Sequence, residues 1–184
     1  MRANNEENKR LLLHTCCAPC SPYVIERLQM EFDVTAFFYN PNIHPIDEYQ
    51  FRLEEMKQLC KHMGVELIIG NYDVDLWFQI TKGMEKEKEG GKRCELCFKM
   101  RLHQSACTAQ KKDCQHVATT LTVSPHKNAT IINQLGRELQ NTYPVIFYEA
   151  DFKKHDGFKK SCERSKKYGF YRQNYCGCIY SKRN

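Results

Sequence analysis

The sequence predicts an α/β protein, an open parallel five-stranded sheet flanked by helices, in a single domain over residues 1–184. Three observations lead to this prediction. The chain has the length of one compact domain. Short β-rich segments alternate with segments of helical periodicity, which is typical of a parallel sheet covered on both faces. No repeat or low-complexity block interrupts the alternation. Residues 1–9 are expected to be disordered, and residues 151–184 to form a basic, aromatic extension that contributes metal ligands.

The first part of the chain supplies three strands and two helices. An apolar run at 10–15 suits a buried strand, and a Ser-Pro pair opens an amphipathic helix over 21–30. A β-rich segment at 33–39 ends in an Asn-Pro-Asn turn, and apolar residues at helical spacing predict a helix over 47–63. Residues 65–69 again predict a strand.

The second part continues the alternation after a charged segment. Residues 82–92 alternate lysine with glutamate before a Gly-Gly pair, and we expect a mobile loop there. Further helices are predicted over 93–111, 129–140 and 155–167, and further strands over 115–119 and 144–148. In open parallel sheets the ligand site lies beyond the carboxyl ends of the strands, where the strand order reverses. The loops expected to meet there are 16–21, 40–45, 70–73 and 119–127.

Eleven cysteines are the most unusual feature of the composition. A domain of this length buries enough surface to fold without disulfides, the number is odd, and residues 1–10 show no apolar signal segment. We therefore expect free thiols in a reducing cytoplasm. The longest apolar runs are far shorter than the roughly 20 residues that cross a bilayer, so we expect a soluble protein with no membrane partner.

The cysteines fall into grouped and isolated positions. The grouped ones are Cys16, Cys17 and Cys20, then Cys94 and Cys97, then Cys176 and Cys178. Cys60, Cys107, Cys114 and Cys162 stand alone and are assigned to ordinary apolar positions. A tetrahedral zinc or a cubane iron–sulfur cluster takes four thiolates, so the seven grouped cysteines predict two adjacent metal centres. Neighbouring side chains diverge, and Cys16 and Cys17 are therefore expected to serve different metals. A structural zinc ribbon is the alternative, although it usually shows two CxxC pairs.

Positive charge is concentrated in the C-terminal segment. Residues 151–184 carry ten Lys/Arg against three Asp/Glu, whereas residues 1–150 are nearly neutral. Seven aromatic residues are interleaved with these charges, a combination that suits RNA because cations attract phosphates and rings stack on bases. A solvated helix with ordinary core aromatics is equally consistent with the charge alone. The residues expected to contact RNA are Lys153, Lys154, Lys159, Lys160, Lys166, Lys167 and Arg172.

The turn after the first strand does not suit a nucleotide. Nucleotide-binding α/β proteins place glycines at this turn, so that backbone amides wrap the phosphates. Here residues 16–21 read Cys-Cys-Ala-Pro-Cys-Ser, with thiols where glycines would be, and Pro19 has no amide hydrogen to donate. ATP is therefore not expected to bind at this turn.

Six parts of the sequence carry a family resemblance. They are residues 14–21, 40–43 with 48–49, 93–97, 119–121 with 124–125, 151–154 and 171–178. Their combination resembles the B12-independent tRNA epoxyqueuosine reductases, the family often called QueH. The resemblance implies reduction of the epoxide of epoxyqueuosine, at the tRNA wobble position, to the cyclopentene of queuosine. It also implies a fold similar to the nucleotide-α-hydrolase-like (HUP-like) group, and a [4Fe-4S] cluster beside one additional metal ion.

The thiolates are assigned to the two centres as a hypothesis. Some family members carry Asp where this chain has Cys20, so the additional ion is iron or zinc. Cys17 and Cys20 are expected to hold that ion. The cluster is expected to take its ligands from Cys16, Cys94, Cys97, Cys176 and Cys178.

Removing an epoxide oxygen to leave an alkene requires two electrons and two protons. A cluster delivers electrons singly, and a neighbouring metal with an open position can bind the oxygen as a Lewis acid. An electron donor is therefore implied, and the sequence does not identify it. The proton donors expected on the same rim are Tyr72, Asp73 and His14, with His44 and His126 as further candidates. A structural or solvated role is equally consistent for each of them.

Two other functions fit parts of the pattern. A tRNA-thiolating adenylase joins this sheet type to iron–sulfur chemistry, but it needs an ATP loop at residues 16–21. A zinc-stabilised RNA-binding module would use the same cysteines without redox activity. Anaerobic purification separates the three, because the reductase is expected to be brown with about four to five irons per chain. The module is expected to be colourless with zinc, and the adenylase to hydrolyse ATP.

Overall fold

The structure is a computed structural model and describes residues 9–182. Five parallel strands form one sheet in the order β3-β2-β1-β4-β5. The strands are β1 (Arg10–Thr15), β2 (Asp33–Phe38), β3 (Glu66–Ile69), β4 (His116–Thr119) and β5 (Ile146–Phe147). The helices are α1 (Pro22–Leu28), α2 (Ile46–Met63), α3 (Val74–Thr81), α4 (Lys92–Lys111), α5 (Ala129–Leu139) and α6 (Gly157–Lys167). The predicted fold class is confirmed.

The predicted elements agree closely with the observed ones. All five predicted strands and all five predicted helices are present, with ends that differ by at most two residues. The fifth strand is shorter than predicted and spans two residues. Of the segment 1–9 that we expected to be disordered, residues 1–8 lie outside the described part of the chain. Within residues 9–182, no helix combines the length and the apolar character that crossing a membrane requires.

The core lies on both faces of the sheet, as the unbroken apolar run of β1 predicts. Leu11 and Leu13 point to one face and pack with α1 and α2, whereas Leu12 points to the other and packs with α4 and α5. All three leucines are fully buried. Each contributes roughly 1.5–3 kcal/mol through burial. The central strand is therefore firmly held in the core, and it fixes the start of the turn that follows it.

Helix α3 is the one α-helix of the described residues that the sequence did not predict. Its eight residues follow Asp73, and only Trp77 and Thr81 among them are buried. An aspartate before an apolar segment is a helix start signal. The Asp73 carboxylate does not cap the helix, however, because its Oδ2 accepts a hydrogen bond of 2.9 Å from the hydroxyl of Tyr39. The unpredicted helix carries Trp77 to the cysteines described below.

The charged segment 82–92, expected to be a mobile loop, contains no strand and no helix before residue 92. Arg93 is buried and holds this segment in place. Its Nη1 donates to the backbone carbonyls of Met84, Glu85 and Glu87 at 2.7, 3.1 and 2.6 Å. A sequence that suggests a solvated loop is thus organised around one guanidinium group.

Candidate functional site

The four predicted loops do meet at the carboxyl edge of the sheet. The strand order reverses between β1 and β4, and the loops after these strands lie at the reversal. Hydrogen bonds join the loops: Cys16 N to Thr120 Oγ1, Asn40 Nδ2 to Thr15 O, Tyr72 Oη to Ile43 O, and Tyr39 Oη to Asp73 Oδ2. The site predicted from the topology therefore exists as a connected set of loops.

The first loop carries a compact cysteine triad, Cys16, Cys17 and Cys20. Their sulfur atoms all lie within 4.8 Å of one another. A turn of 3-10 helix over Ala18–Cys20 folds the chain back, and the hydroxyl of Ser21 donates to the Cys17 carbonyl at 2.8 Å. Among the described residues 9–182, this is the only group of three or more Cys, His, Asp or Glu side chains close enough for one ion.

The triad corrects one expectation. We expected the side chains of Cys16 and Cys17 to diverge because the residues are adjacent. Their sulfur atoms instead lie 3.7 Å apart, with Cys17 in an extended backbone conformation (φ −169°, ψ 158°). Both sulfurs can therefore reach the same ion, which the sequence spacing alone did not reveal.

The other four grouped cysteines form a second set, the cysteine quartet of Cys94, Cys97, Cys176 and Cys178. All four line one cleft, called here the inner cleft. Cys94 and Cys97 stand in the first two turns of α4, and burial raises the pKa of both thiols. Cys97 and Cys178 are buried together against Trp77. The predicted meeting of the CxxC and CGC segments is thus present in the structure.

The chain from residue 168 to 181 reaches the quartet because it is fastened to α2 and to the loop after β2. The guanidinium of Arg52 donates to the carbonyls of Tyr175 and Cys176, both at 3.3 Å. The amide of His44 donates to the Gly177 carbonyl at 2.8 Å, and the Tyr175 hydroxyl donates to the His44 carbonyl at 2.8 Å. These backbone contacts fix the positions of Cys176 and Cys178.

One thiol in each group ionises readily. Hydrogen bonds from Cys17 and Cys20 hold the pKa of Cys16 well below its usual value. The pKa of Cys20 is raised to about 12, chiefly because its proton is shared with Cys16. In the quartet, a hydrogen bond from Cys178 lowers the pKa of Cys176. A metal that takes all three sulfurs of the triad must therefore displace protons, so its binding is tighter at higher pH.

Two cations, the buried Arg101 and the half-buried Lys127, lie beside both cysteine groups, and the sequence analysis missed both. Arg101 and Lys127 line the inner cleft and the neighbouring cleft, and neither makes an ion pair with a carboxylate of residues 9–182. Arg101 donates to Asn40 Oδ1 and, at 3.3 Å, to His14 Nε2. The sequence did contain information about both positions. Arg101 follows Cys97 by one helical turn, and Lys127 is the last residue of the predicted loop 119–127. Thiolates are the anions within reach of both charges.

A second cleft, the outer cleft, opens beside the triad. Its volume is about 320 Å³, within the range of small-molecule sites. Cys16, Cys20 and Cys176 line this cleft together with Phe158 and Arg172. The Arg172 guanidinium lies 4.6 Å from the centre of the Phe158 ring. An aromatic ring and a planar cation therefore line the same cleft as the sulfur atoms.

Two of the predicted proton donors, Tyr72 and Asp73, lie at the sheet edge but away from the clefts. Neither is among the residues that line the inner or the outer cleft. The Tyr72 hydroxyl donates to the Ile43 carbonyl, and Asp73 accepts from Tyr39. Both side chains tie loops together in this arrangement.

The histidine candidates differ in position. His14 is fully buried, and burial lowers its pKa to about 3, so the ring is neutral and bonded to Thr119 Oγ1 at 2.9 Å. His44 is buried against Trp77, with ring centres 5.0 Å apart. His126 lines both clefts and is exposed. His126 is therefore the one candidate proton carrier that reaches the clefts among those named from the sequence.

The residues predicted to contact RNA also separate by position. Arg172 lines the outer cleft. Lys153 pairs with Asp151 at 3.0 Å, and Lys160 lies over the ring of Tyr23. The remaining four are exposed on and before α6: Lys154, Lys159, Lys166 and Lys167.

Solved structures share the fold at low sequence identity. The U34-tRNA thiolase NcsA from Methanococcus maripaludis, solved with its [4Fe-4S] cluster, aligns with a TM-score of 0.62 at 15% identity, over 97% of this chain and 63% of that one. A predicted tRNA methyltransferase subunit from Methanocaldococcus jannaschii aligns with a TM-score of 0.54 at 11% identity, over 83% and 74%. These similarities support the parallel-sheet fold of this chain.

Sequence relatives identify the family. The profile described as "Epoxyqueuosine reductase QueH" matches residues 11–184. Proteins with that name from Acinetobacter baylyi, Streptococcus pyogenes and Thermotoga maritima are 42%, 39% and 36% identical to this chain. The alignments cover 95%, 93% and 93% of this chain, and 81%, 69% and 89% of the relatives. Both the profile and these relatives agree with the resemblance drawn from the motifs, and the chain belongs to the epoxyqueuosine reductase QueH family.

Proposed function

We propose that this protein reduces epoxyqueuosine in tRNA to queuosine. The epoxide gains two electrons and two protons, both of its C–O bonds break, a C=C bond forms and the oxygen leaves as water. Membership of the family supports the reaction, since the relatives carry the name epoxyqueuosine reductase. The observation that carries the proposal is the placement of the cysteine triad, the cysteine quartet and two unpaired cations around adjoining clefts.

The residues fit a cluster and a single ion. A cubane binds each of four thiolates to a different iron, so its ligands stand farther apart than those of one ion. The quartet has four cysteines around one cleft with wider spacing than the triad, and we assign the [4Fe-4S] cluster to it. The triad suits one iron or zinc ion. This assignment differs from the sequence hypothesis, which placed Cys16 on the cluster, because the Cys16 sulfur lies with Cys17 and Cys20.

The bound centres supply single electrons and a Lewis acid for the oxygen. Arg101 and Lys127 contribute fixed positive charge beside the thiolates, which offsets the negative charge that accumulates during reduction. Phe158 and Arg172 provide the surface on which the modified base stacks once it leaves the anticodon loop. His126 is placed to carry protons into the clefts.

Tyr72, Asp73 and His14 take a different role in this proposal from the one expected. Each was a candidate proton donor. Their hydrogen bonds to Ile43, Tyr39 and Thr119 instead favour a positioning role, in which they hold the loops that carry the cysteines.

Anaerobic incubation with epoxyqueuosine-bearing tRNA tests the function directly. The iron-loaded protein and a chemical reductant are expected to convert the modified nucleoside to one lighter by a single oxygen atom, measured by mass spectrometry of the digested tRNA. ATP is left out, since the thiol-lined turn predicts no need for it. A colourless, zinc-loaded protein that binds tRNA but leaves the nucleoside unchanged would instead support the RNA-binding module.

The exposed lysines give a second prediction. Changing Lys154, Lys159, Lys166 and Lys167 together to glutamine should weaken tRNA binding by roughly tenfold or more at moderate salt. It should also reduce the slope of log affinity against log salt by about three, because each phosphate contact contributes roughly 0.7–0.9. Fluorescence anisotropy over a salt series measures both.

The control for this prediction neutralises the same number of charges elsewhere. Lys61, Lys99, Lys111 and Lys112 are exposed on α2 and on or just after α4, and they do not line either cleft. Their change to glutamine alters net charge equally and should leave most of the affinity. If the two variants lose tRNA affinity equally, or if the first variant keeps its affinity, then the lysines on and before α6 do not form the proposed tRNA contact.

A further inference from the structure

Trp77 is the only tryptophan of the chain and lies inside the site. It stands on α3, is fully buried, and packs with Cys97 and Cys178. The ring of Tyr180 stacks on it, with ring centres 6.0 Å apart and planes at 24°. The indole is therefore fixed against two of the four quartet sulfurs by packing on several sides.

The indole nitrogen of Trp77 is a buried donor with no hydrogen-bond partner, whether oxygen, nitrogen or sulfur, among the described residues. Buried N–H groups are almost always hydrogen-bonded, so this one calls for an acceptor. Cys97 packs against this ring, and a Cys97 thiolate that holds a metal is an acceptor for the N–H.

One other sulfur of the quartet receives a polar hydrogen, because the amide of Gly90 donates to Cys94 Sγ at 3.2 Å. The Ser181 hydroxyl donates to the Cys178 carbonyl at 2.8 Å and lies 3.0 Å from Cys176 Sγ. Hydrogen bonds to the sulfurs of an iron–sulfur cluster are one of the means by which a protein sets its reduction potential. A donor that packs against Cys97 would continue this pattern around the cleft.

We propose that Trp77 is a positioning residue that tunes electron transfer: its indole N–H donates to the Cys97 thiolate and raises the reduction potential of the cluster held by the quartet. The inference rests on the proposed function in placing the cluster there. An added electron increases the negative charge on the sulfurs, and a hydrogen-bond donor stabilises that charge. The indole N–H therefore makes the cluster easier to reduce by the electron donor.

The variant Trp77→Phe tests this by removing the N–H while keeping an aromatic ring. The cluster-loaded full-length protein is titrated with reductant under anaerobic conditions, and the reduced cluster is followed by electron paramagnetic resonance. At equal iron content, the midpoint potential should shift to a more negative value than in the wild type. Leu76→Ala is the control, because Leu76 stands beside Trp77 on α3, is exposed and does not pack with the cysteines, and its potential should stay at the wild-type value. An unchanged or more positive potential in Trp77→Phe would overturn the inference.

The reduction potential cannot be measured if Trp77→Phe does not retain iron. A second measurement therefore uses the wild-type protein. As the sole tryptophan, Trp77 reports on this site by its fluorescence, and loading the cluster should quench the emission strongly by energy transfer to the coloured cluster. Unquenched emission at full iron content would refute the contact between Trp77 and the cluster. Turnover of epoxyqueuosine tRNA by the same wild-type sample tests the function separately. An active protein with unquenched emission would contradict only the role of Trp77, whereas an inactive protein with quenched emission would contradict only the proposed function.

Discussion

Replacing Cys178 by alanine is expected to abolish the brown absorbance and to remove about four irons per chain, whereas replacing Cys16 by alanine should leave that absorbance in place. The first change takes one of four thiolates from the inner cleft, and the second takes one of three from the triad. Cys20→Ala should behave like Cys16→Ala and lose only the single ion. Metal analysis and visible absorbance of anaerobically prepared proteins measure the difference, and all three variants should lose reductase activity.

Cys107→Ala provides the matched control, because Cys107 stands on the same helix as Cys94 and Cys97 but outside both groups. It should keep both centres and the activity. Loss of the brown colour in Cys16→Ala would contradict the assignment made from the sulfur positions. That result would restore the sequence hypothesis in which Cys16 binds the cluster.

Gly177→Ala is expected to disturb the site nearly as strongly without removing any ligand. Gly177 separates Cys176 from Cys178 and has φ +98°, a conformation that side chains disfavour. A Cβ there would lie 2.8 Å from Cγ1 and 3.2 Å from Cα of Ile43. The positive φ costs roughly 1–2 kcal/mol, and the contact with Ile43 pushes the two cysteines away from the cleft. Cluster content should fall steeply, and unfolding by denaturant should begin at a lower concentration.

Gly169→Ala separates the two causes. Gly169 also has a positive φ, +71°, but a Cβ there meets nothing within 4 Å. It should lose some stability and keep its cluster. Similar cluster loss in both variants would show that backbone conformation, and not the close approach to Ile43, determines how the CGC segment binds.

Local periodicity predicted the fold because each strand and helix is decided by neighbouring residues. The run Leu11 to Leu13 is apolar on both sides of β1, and a strand of that kind has to be buried on both faces. The cysteine groups could be found for the same reason, since their members are close in sequence. The division into a triad and a quartet depends on how the turn at Ala18–Cys20 folds, which spacing does not determine.

The features that the sequence did not reveal depend on long-range contacts. The guanidinium of Arg93 binds three backbone carbonyls of the loop before it. Every residue has a backbone carbonyl, so the sequence does not show which of them a side chain will bind. Trp77 resembles any core tryptophan until α3 is placed beside Cys97. Tyr72 and Asp73 follow a strand end, as predicted, yet their hydroxyl and carboxylate groups are occupied within the loops.

The tail that supplies Cys176 and Cys178 has a consequence for how the protein is made in a cell. Translation proceeds at roughly 5–20 residues per second, so the turn with Cys16 emerges well before the CGC segment exists. A nascent chain therefore exposes five of these thiols to the cellular pool of zinc and iron before the other two ligands of the proposed cluster have been made. Insertion of that cluster has to wait until Cys176 and Cys178 have been translated, and a zinc ion captured earlier would compete with it.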